Sequence, residues 1–194
     1  MIQRPLITED DLPGLARRAV EVFVREGDQL EPPTKLTGLL AERAPCFVSL
    51  KTVAGDLRGC IGTIEPWKDS LAEEIIVNAI SAATRDPRFE PVKVEELNNI
   101  CYSVDVLFPA EPTVLADLDP SIYGVIVEDE KGDRRGLLLP DIPGVETAEQ
   151  QVDIAARKAG IRRGTPTKLS RFRVERFREN REPGAVATGG HHSS

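Results

Sequence analysis

Histidine is almost absent from this chain. His191 and His192 are the two in 194 residues, and both lie in the last four positions. The body of the chain therefore cannot build a Ser-His-Asp or Cys-His catalytic pair. It cannot build a histidine-based metal site either. Cysteine is scarce as well: Cys46, Cys60 and Cys101 are the full set. An odd number with no C-x-x-C spacing argues against a disulfide framework and a zinc knuckle. No Walker loop and no G-x-G-x-x-G run is present. Neither a metal nor a cofactor is expected. No apolar run approaches the roughly 18 residues of a membrane helix. The N-terminal MIQRPLITEDDLPG has no apolar signal core, so a cytoplasmic protein without membrane contact is expected.

What is present is an ordinary globular composition, 40% apolar and 29% charged, with net charge −7. The charge is uneven. Residues 1–156 are strongly acidic, whereas residues 157–181 hold 10 basic against 2 acidic side chains. Such a segment reads as a nucleic-acid or partner surface, or as a stretch neutralised by the acidic remainder. Overall acidity and the 5% aromatic content disfavour nucleic acid.

Periodicity then supplies the elements. Leu12, Leu15, Ala16, Ala19, Val20, Phe23 and Val24 recur at helical spacing after Asp10 and Asp11, and Gly27 ends the run. The runs 46–53 and 57–64 flank a short Ala-Gly-Asp loop and predict a hairpin. Ser70 with Glu73 opens a second helix, which breaks near Pro87. Residues 100–108 alternate as a strand, with Ile100, Tyr102, Val104 and Val106 on one face. Residues 122–129 and 134–140 predict another hairpin. Thr147 with Gln150 caps a third helix that stops at Gly160. Residues 169–177 predict one last strand, with Phe172 and Val174 facing opposite to Arg171 and Arg173. The tail 181–194 is expected to be disordered. Hairpins mixed with helices imply an α+β fold with a largely antiparallel sheet and flanking helices.

The segment 57-LRGCIGTI-64 concentrates the chemistry. A regular strand would place Arg58, Cys60 and Gly62 on one face and Leu57, Gly59 and Ile61 on the other. Gly59 and Gly62 would then let a backbone or a ligand come close, or permit a bulge. Arg58 suits a carboxylate or phosphate, and a positive neighbour favours a thiolate at Cys60. Cys60 is thus a candidate nucleophile, or else a small packed residue. Asp86 and Arg88, in 85-RDPRF-89, form a second polar cluster: an exposed loop with a local ion pair, or part of the same cleft. The candidate ligand-binding set is Arg58, Gly59, Gly62, Asp86 and Arg88.

The segments 46-CFVSLKTVAGDLRGCIGTIEP-66, 78-NAISAATRDPRFEPV-92 and 134-RRGLLLPDIPGVETAEQQVDIAARKAGI-161 resemble the AMMECR domain. The hexapeptide Leu57–Gly62 is that family's hallmark, and Asp86, Arg88 and Phe89 match a second marker. The resemblance covers residues 6–180 as one domain. It implies an α+β protein of two unequal lobes sharing a cleft. Relatives named AmmeMemoRadiSam system protein A imply association with a Memo-family protein and a radical S-adenosylmethionine protein. The resemblance implies no reaction. The expected function is therefore an accessory or binding component. The alternatives are an enzyme using Arg58 and Cys60 on a small anionic substrate, and nucleic-acid binding through residues 157–181.

Overall fold

Asp11 opens the chain's first helix by accepting the Gly14 N–H at 2.9 Å. The structure, a computed structural model, describes residues 11–179. The expected disordered tail and residues 6–10 and 180 of the expected domain lie outside the described residues. Helix α1 spans Leu12–Glu26 and closes at Gly27, whose φ of 81° is the left-handed turn that glycine enters without a Cβ clash. Helix α2, Leu71–Thr84, starts on the Ser70 hydroxyl. Helix α3, Ala148–Lys158, carries the complete Thr147–Gln150 capping box.

Among the described residues, eight strands form two antiparallel four-stranded sheets, so the fold is α+β. They are β1 Cys46–Thr52, β2 Leu57–Gly62, β3 Ile100–Leu107, β4 Glu111–Thr113, β5 Gly124–Asp129, β6 Arg135–Leu138, β7 Thr167–Phe172 and β8 Val174–Arg178. The first sheet has order β2-β1-β3-β8, and the second β4-β7-β5-β6.

Alternation decides what each face of the first sheet does. Cys46, Val48, Leu50, Tyr102, Val104 and Val106 are buried with Leu15, Ala19 and Val20 of α1 and Ile75, Ile76 and Ala79 of α2. Each such aliphatic side chain, fully buried, contributes about 1.5–3 kcal/mol before the entropy of ordering is counted. The opposite face is apolar at Phe47, Leu107 and Val174 and polar beyond them. Its register sets Cys60 beside Ser49, Ser49 beside Ser103, and Ser103 beside Arg178. These four residues form one row across the sheet, about 14 Å long at three strand spacings.

The second sheet packs Val125, Val127 and Leu138 against Ala155 of α3. A Cβ on Gly136 would lie 2.1 Å from the Ala155 carbonyl oxygen, so only glycine lets α3 approach this closely. From its other face, Ile126, Leu137 and Phe172 meet Leu107, Phe47 and Val174 of the first sheet. That small apolar cluster joins the two sheets.

The last strand departs from the sequence expectation. Residues 167–178 are two strands, not one: β7 pairs with β4 and β5, and β8 pairs with β3 of the other sheet. The partner changes at Arg173, whose carbonyl accepts the Phe108 N–H at 2.9 Å. Alternation runs on through the change, so the pattern carries no mark of it. Strand β4 and the short 3₁₀ segments Gly38–Ala41, Val94–Asn99 and Leu115–Asp117 are also absent from the sequence reading. They are too short to show a period.

Candidate functional site

The hexapeptide strand is irregular. Leu57 pairs with Lys51 and Gly59 with Leu50, so Arg58 is an extra residue at a β-bulge. The bulge overturns strict alternation: Leu57 falls on the face of Lys51, away from Gly59. Arg58 turns to the outer edge of the sheet. Its Nε and Nη2 donate to the two Glu96 carboxylate oxygens at 2.7 and 3.1 Å, and Nη2 also donates to the Glu90 carbonyl at 3.0 Å. Its guanidinium lies 5.8 Å from the Phe89 ring centroid. The fork that could grip an anion is engaged by Glu96.

Neighbouring groups also occupy the space beside both glycines. A Cβ on Gly59 would lie 2.2 Å from the Ala82 carbonyl oxygen of α2, and one on Gly62 would lie 2.3 Å from the Phe47 ring. Gly59 lets a helix backbone close on the strand. Gly62 seats the ring that belongs to the cluster joining the sheets.

Asp86 ties the second motif to the first. It is 4% exposed. Its Oδ2 accepts the Cys60 N–H at 2.9 Å, on the free edge of β2. Its two oxygens also accept Arg88 Nε at 2.9 Å and Nη2 at 2.7 Å, and Oδ1 accepts the Arg88 N–H. The Arg88 fork first, then these backbone donors, hold the Asp86 carboxyl down at about 2 against their opposing burial cost. The loop after α2 thus caps an open strand edge and converges on Cys60.

The Cys60 sulfur accepts the Ser49 hydroxyl at 3.2 Å. Burial pushes its thiol up, with the Ser49 donation and the charges of Arg88 and Lys158 opposing. Sequence reasoning missed Lys158, which ends α3. Its ammonium donates to the Leu137 carbonyl on the edge strand β6 at 3.0 Å. Partial burial pulls Lys158 down, with the charge of Cys60 opposing, although the residue as a whole is exposed. Asp105 and Arg176 were missed too. Asp105, 5% exposed, accepts Arg176 Nε at 2.6 Å and Nη2 at 2.9 Å. The charge of Arg176 also bears on Cys60. The signal available in sequence was a carboxylate two residues after Ser103, on the face of the strand opposite Val104 and Val106.

The other cysteines differ. Cys46 is fully buried, beside Asn78, and burial pushes it up to about 12. Cys101 is half-buried on β3. Among the described residues, no group of three or more His, Cys, Asp or Glu could hold a metal ion. No helix there is long and apolar enough to cross a membrane. Several cations of the basic segment meet acidic partners: Arg171 pairs with Glu111, Arg176 with Asp105, and Arg163 lies 3.6 Å from Asp153. Arg171 and Arg173 also stack on the Tyr123 ring, 4.4 and 4.9 Å from its centroid.

The profile of the AMMECR1 family matches residues 13–181. The chain belongs to the AMMECR1 family. A Thermotoga maritima protein is 51% identical over 166 residues, covering 84% of this chain and 94% of its own. A Clostridium acetobutylicum protein is 44% identical over 174 residues, which are 89% of this chain but 36% of that longer one. The crystal structure of an uncharacterized protein, PH0010 from Pyrococcus horikoshii, superposes with a TM-score of 0.79 at 34% identity, over 89% of this chain and 91% of that one. In this AMMECR1-family chain the hexapeptide and the Asp86–Phe89 loop form one connected unit, joined through Asp86 to Cys60 and through Arg58 to Phe89 and Glu90.

Proposed function

We propose that this AMMECR1-family protein is a binding component acting with a Memo-family protein and a radical S-adenosylmethionine protein, and that the surface around Cys60 receives a ligand. The observation that carries the binding reading is the state of Cys60: burial raises the thiol, and no histidine lies among the described residues to act as its base. The family resemblance supplies the partners. A second reading, an enzyme that uses Cys60, is favoured by one observation: the Lys158 amine is near enough for its charge to bear on the sulfur, and both groups shift toward each other.

Two measurements separate these readings. The purified chain is mixed with each partner protein and resolved by size-exclusion chromatography. Co-elution that survives Cys60→Ser is expected, and separate elution of both partners would remove the accessory reading. Alkylation of Cys60 by iodoacetamide at neutral pH, read by peptide mass, should be slower than that of a free thiol. Faster alkylation that is lost in Lys158→Met would transfer the case to the enzyme reading.

A further inference from the structure

We infer that the outer edge of β8 is a docking site for an extended acidic segment of a partner protein, which adds to the first sheet as a fifth strand. The inference goes beyond the reading above: it needs neither Cys60 nor the identity of the partner.

A sheet edge displays backbone groups that another strand can pair with, and proteins blunt such edges. The two sheets of the described residues have four edges, and three of them are blunted. On β2, the Asp86 carboxylate takes the Cys60 N–H, and Arg58 forms a bulge. On β6, the Lys158 ammonium donates to the Leu137 carbonyl. Strand β4 has three residues, and Pro112 at its centre has no N–H. Strand β8 has five residues, no proline and an unbroken register on β3.

Pairing shows which of its groups are open. In an antiparallel ladder, residues bonded to the neighbouring strand alternate with residues whose N–H and C=O point away from it. The Phe108 N–H donates to the Arg173 carbonyl, and the Glu179 N–H to the Tyr102 carbonyl. These two bonds fix Arg173, Glu175, Phe177 and Glu179 as the residues turned toward β3. The N–H and C=O groups of Val174, Arg176 and Arg178 point outward. They make no hydrogen bond among the described residues.

The side chains of these same three residues line a hollow of about 210 Å³ with Ile122 and Pro140. A strand laid along the edge sends every second side chain over that hollow. Main-chain bonds then supply the attachment, and the side chains facing the hollow supply the selection.

Charge complementarity names the guest. Arg176 is already matched by Asp105. Arg173 and Arg178, at the two ends of the edge, have no carboxylate partner among the described residues. Arg173 donates to the Tyr123 hydroxyl and stacks on its ring, and Arg178 is exposed. An antiparallel second copy centred on Arg176 would set Arg178 opposite Val174, and its own arginines would add to the charge instead of meeting it. Opposite charges across a strand pair stabilise it and like charges destabilise it. The edge is therefore turned against its own copy and toward a strand that carries Asp or Glu.

The test uses the full chain, isotope-labelled for amide NMR, and blocked peptides that alternate valine with one charged residue, either glutamate or lysine. In the free chain the amides of Val174, Arg176 and Arg178 should exchange quickly and those of Glu175 and Phe177 slowly. The glutamate peptide should shift these resonances saturably and slow the three outward amides by about tenfold or more. The lysine peptide should bind more weakly by about tenfold, the scale of one charge-assisted contact. A glutamate peptide N-methylated at its central residues keeps its charge but loses its donors, and it should not bind. Arg178→Glu should reverse the preference between the two peptides, with the thermal midpoint unchanged because Arg178 is exposed and unpaired. Four results would each overturn the inference: no saturable shift with the glutamate peptide, equal binding of the lysine peptide, equal binding of the N-methylated peptide, or protected outward amides in the free chain. Protection that grows with protein concentration would assign the edge to a second copy instead, and protection independent of it to the chain's own residues. Partner co-elution is measured separately, so a failure here leaves that reading standing, and the reverse.

Discussion

Replacing Asp86 by asparagine tests whether the two motifs form one unit. The carboxylate accepts four hydrogen bonds, one from the Cys60 N–H and three from Arg88. Asparagine keeps the shape and can still accept from Cys60, but it loses the charge that Arg88 grips. The folded Asp86 titrates at about 2 against an ordinary 3.8. A shift of that size corresponds to roughly 2 kcal/mol when fully expressed. Arg88 is half in solvent, its side chain 55% exposed, so screening reduces this to about 1–2 kcal/mol. The sign follows from the direction. A carboxyl lowered in the folded state contributes its stability above the unfolded value near 3.8, and the contribution is lost as pH falls through about 2. Urea unfolding at pH 7 should therefore show Asp86→Asn about 1–2 kcal/mol less stable than the wild type. Near pH 2 the difference should shrink by most of that amount. Asp86→Ala should cost more, about 2–4 kcal/mol, because the Cys60 N–H then loses its partner. An Asp86→Asn protein as stable as the wild type at pH 7, or a difference that does not narrow in acid, would refute the clamp.

Other outcomes follow from the same contacts. Gly59→Ala drives a Cβ to 2.2 Å from the Ala82 carbonyl oxygen, so α2 must shift; a loss of about 1–3 kcal/mol in urea unfolding is expected. Unchanged stability would mean that α2 does not close on the strand there. Glu96→Gln weakens the grip on Arg58, and a loss of about 1 kcal/mol is expected, with faster amide exchange at residues 89–96. Cys46 should resist iodoacetamide in the native state up to mildly alkaline pH and react only after denaturation, since it is fully buried and titrates at about 12. Native labelling at Cys46 equal to that at Cys101 would contradict its placement.

Much of the fold was legible because its signals are local. Capping at Asp11, Ser70 and Thr147, and the stop at Gly27, each depend on residues within one helical turn. The apolar face of β3 was legible because alternation marks burial directly. The crossing of residues 167–178 from one sheet to the other was not, since pairing partners lie far apart in sequence.

The sequence by itself determined the three helices, the hairpins and the hexapeptide, and it places both histidines in the last four positions. It also assigned the chain to its family. The tertiary structure alone decided which charges meet Cys60. Arg58 looked like its natural companion two residues away, but the bulge turns it to Glu96. Arg88 and Arg176 flank the first sheet, fixed by Asp86 and Asp105, whereas Lys158 belongs to α3 on the second sheet, which packs on the first through Phe47, Leu107, Phe172 and Val174. A linear pattern records faces and turns. It does not record which faces are brought together, because that is set by long-range packing.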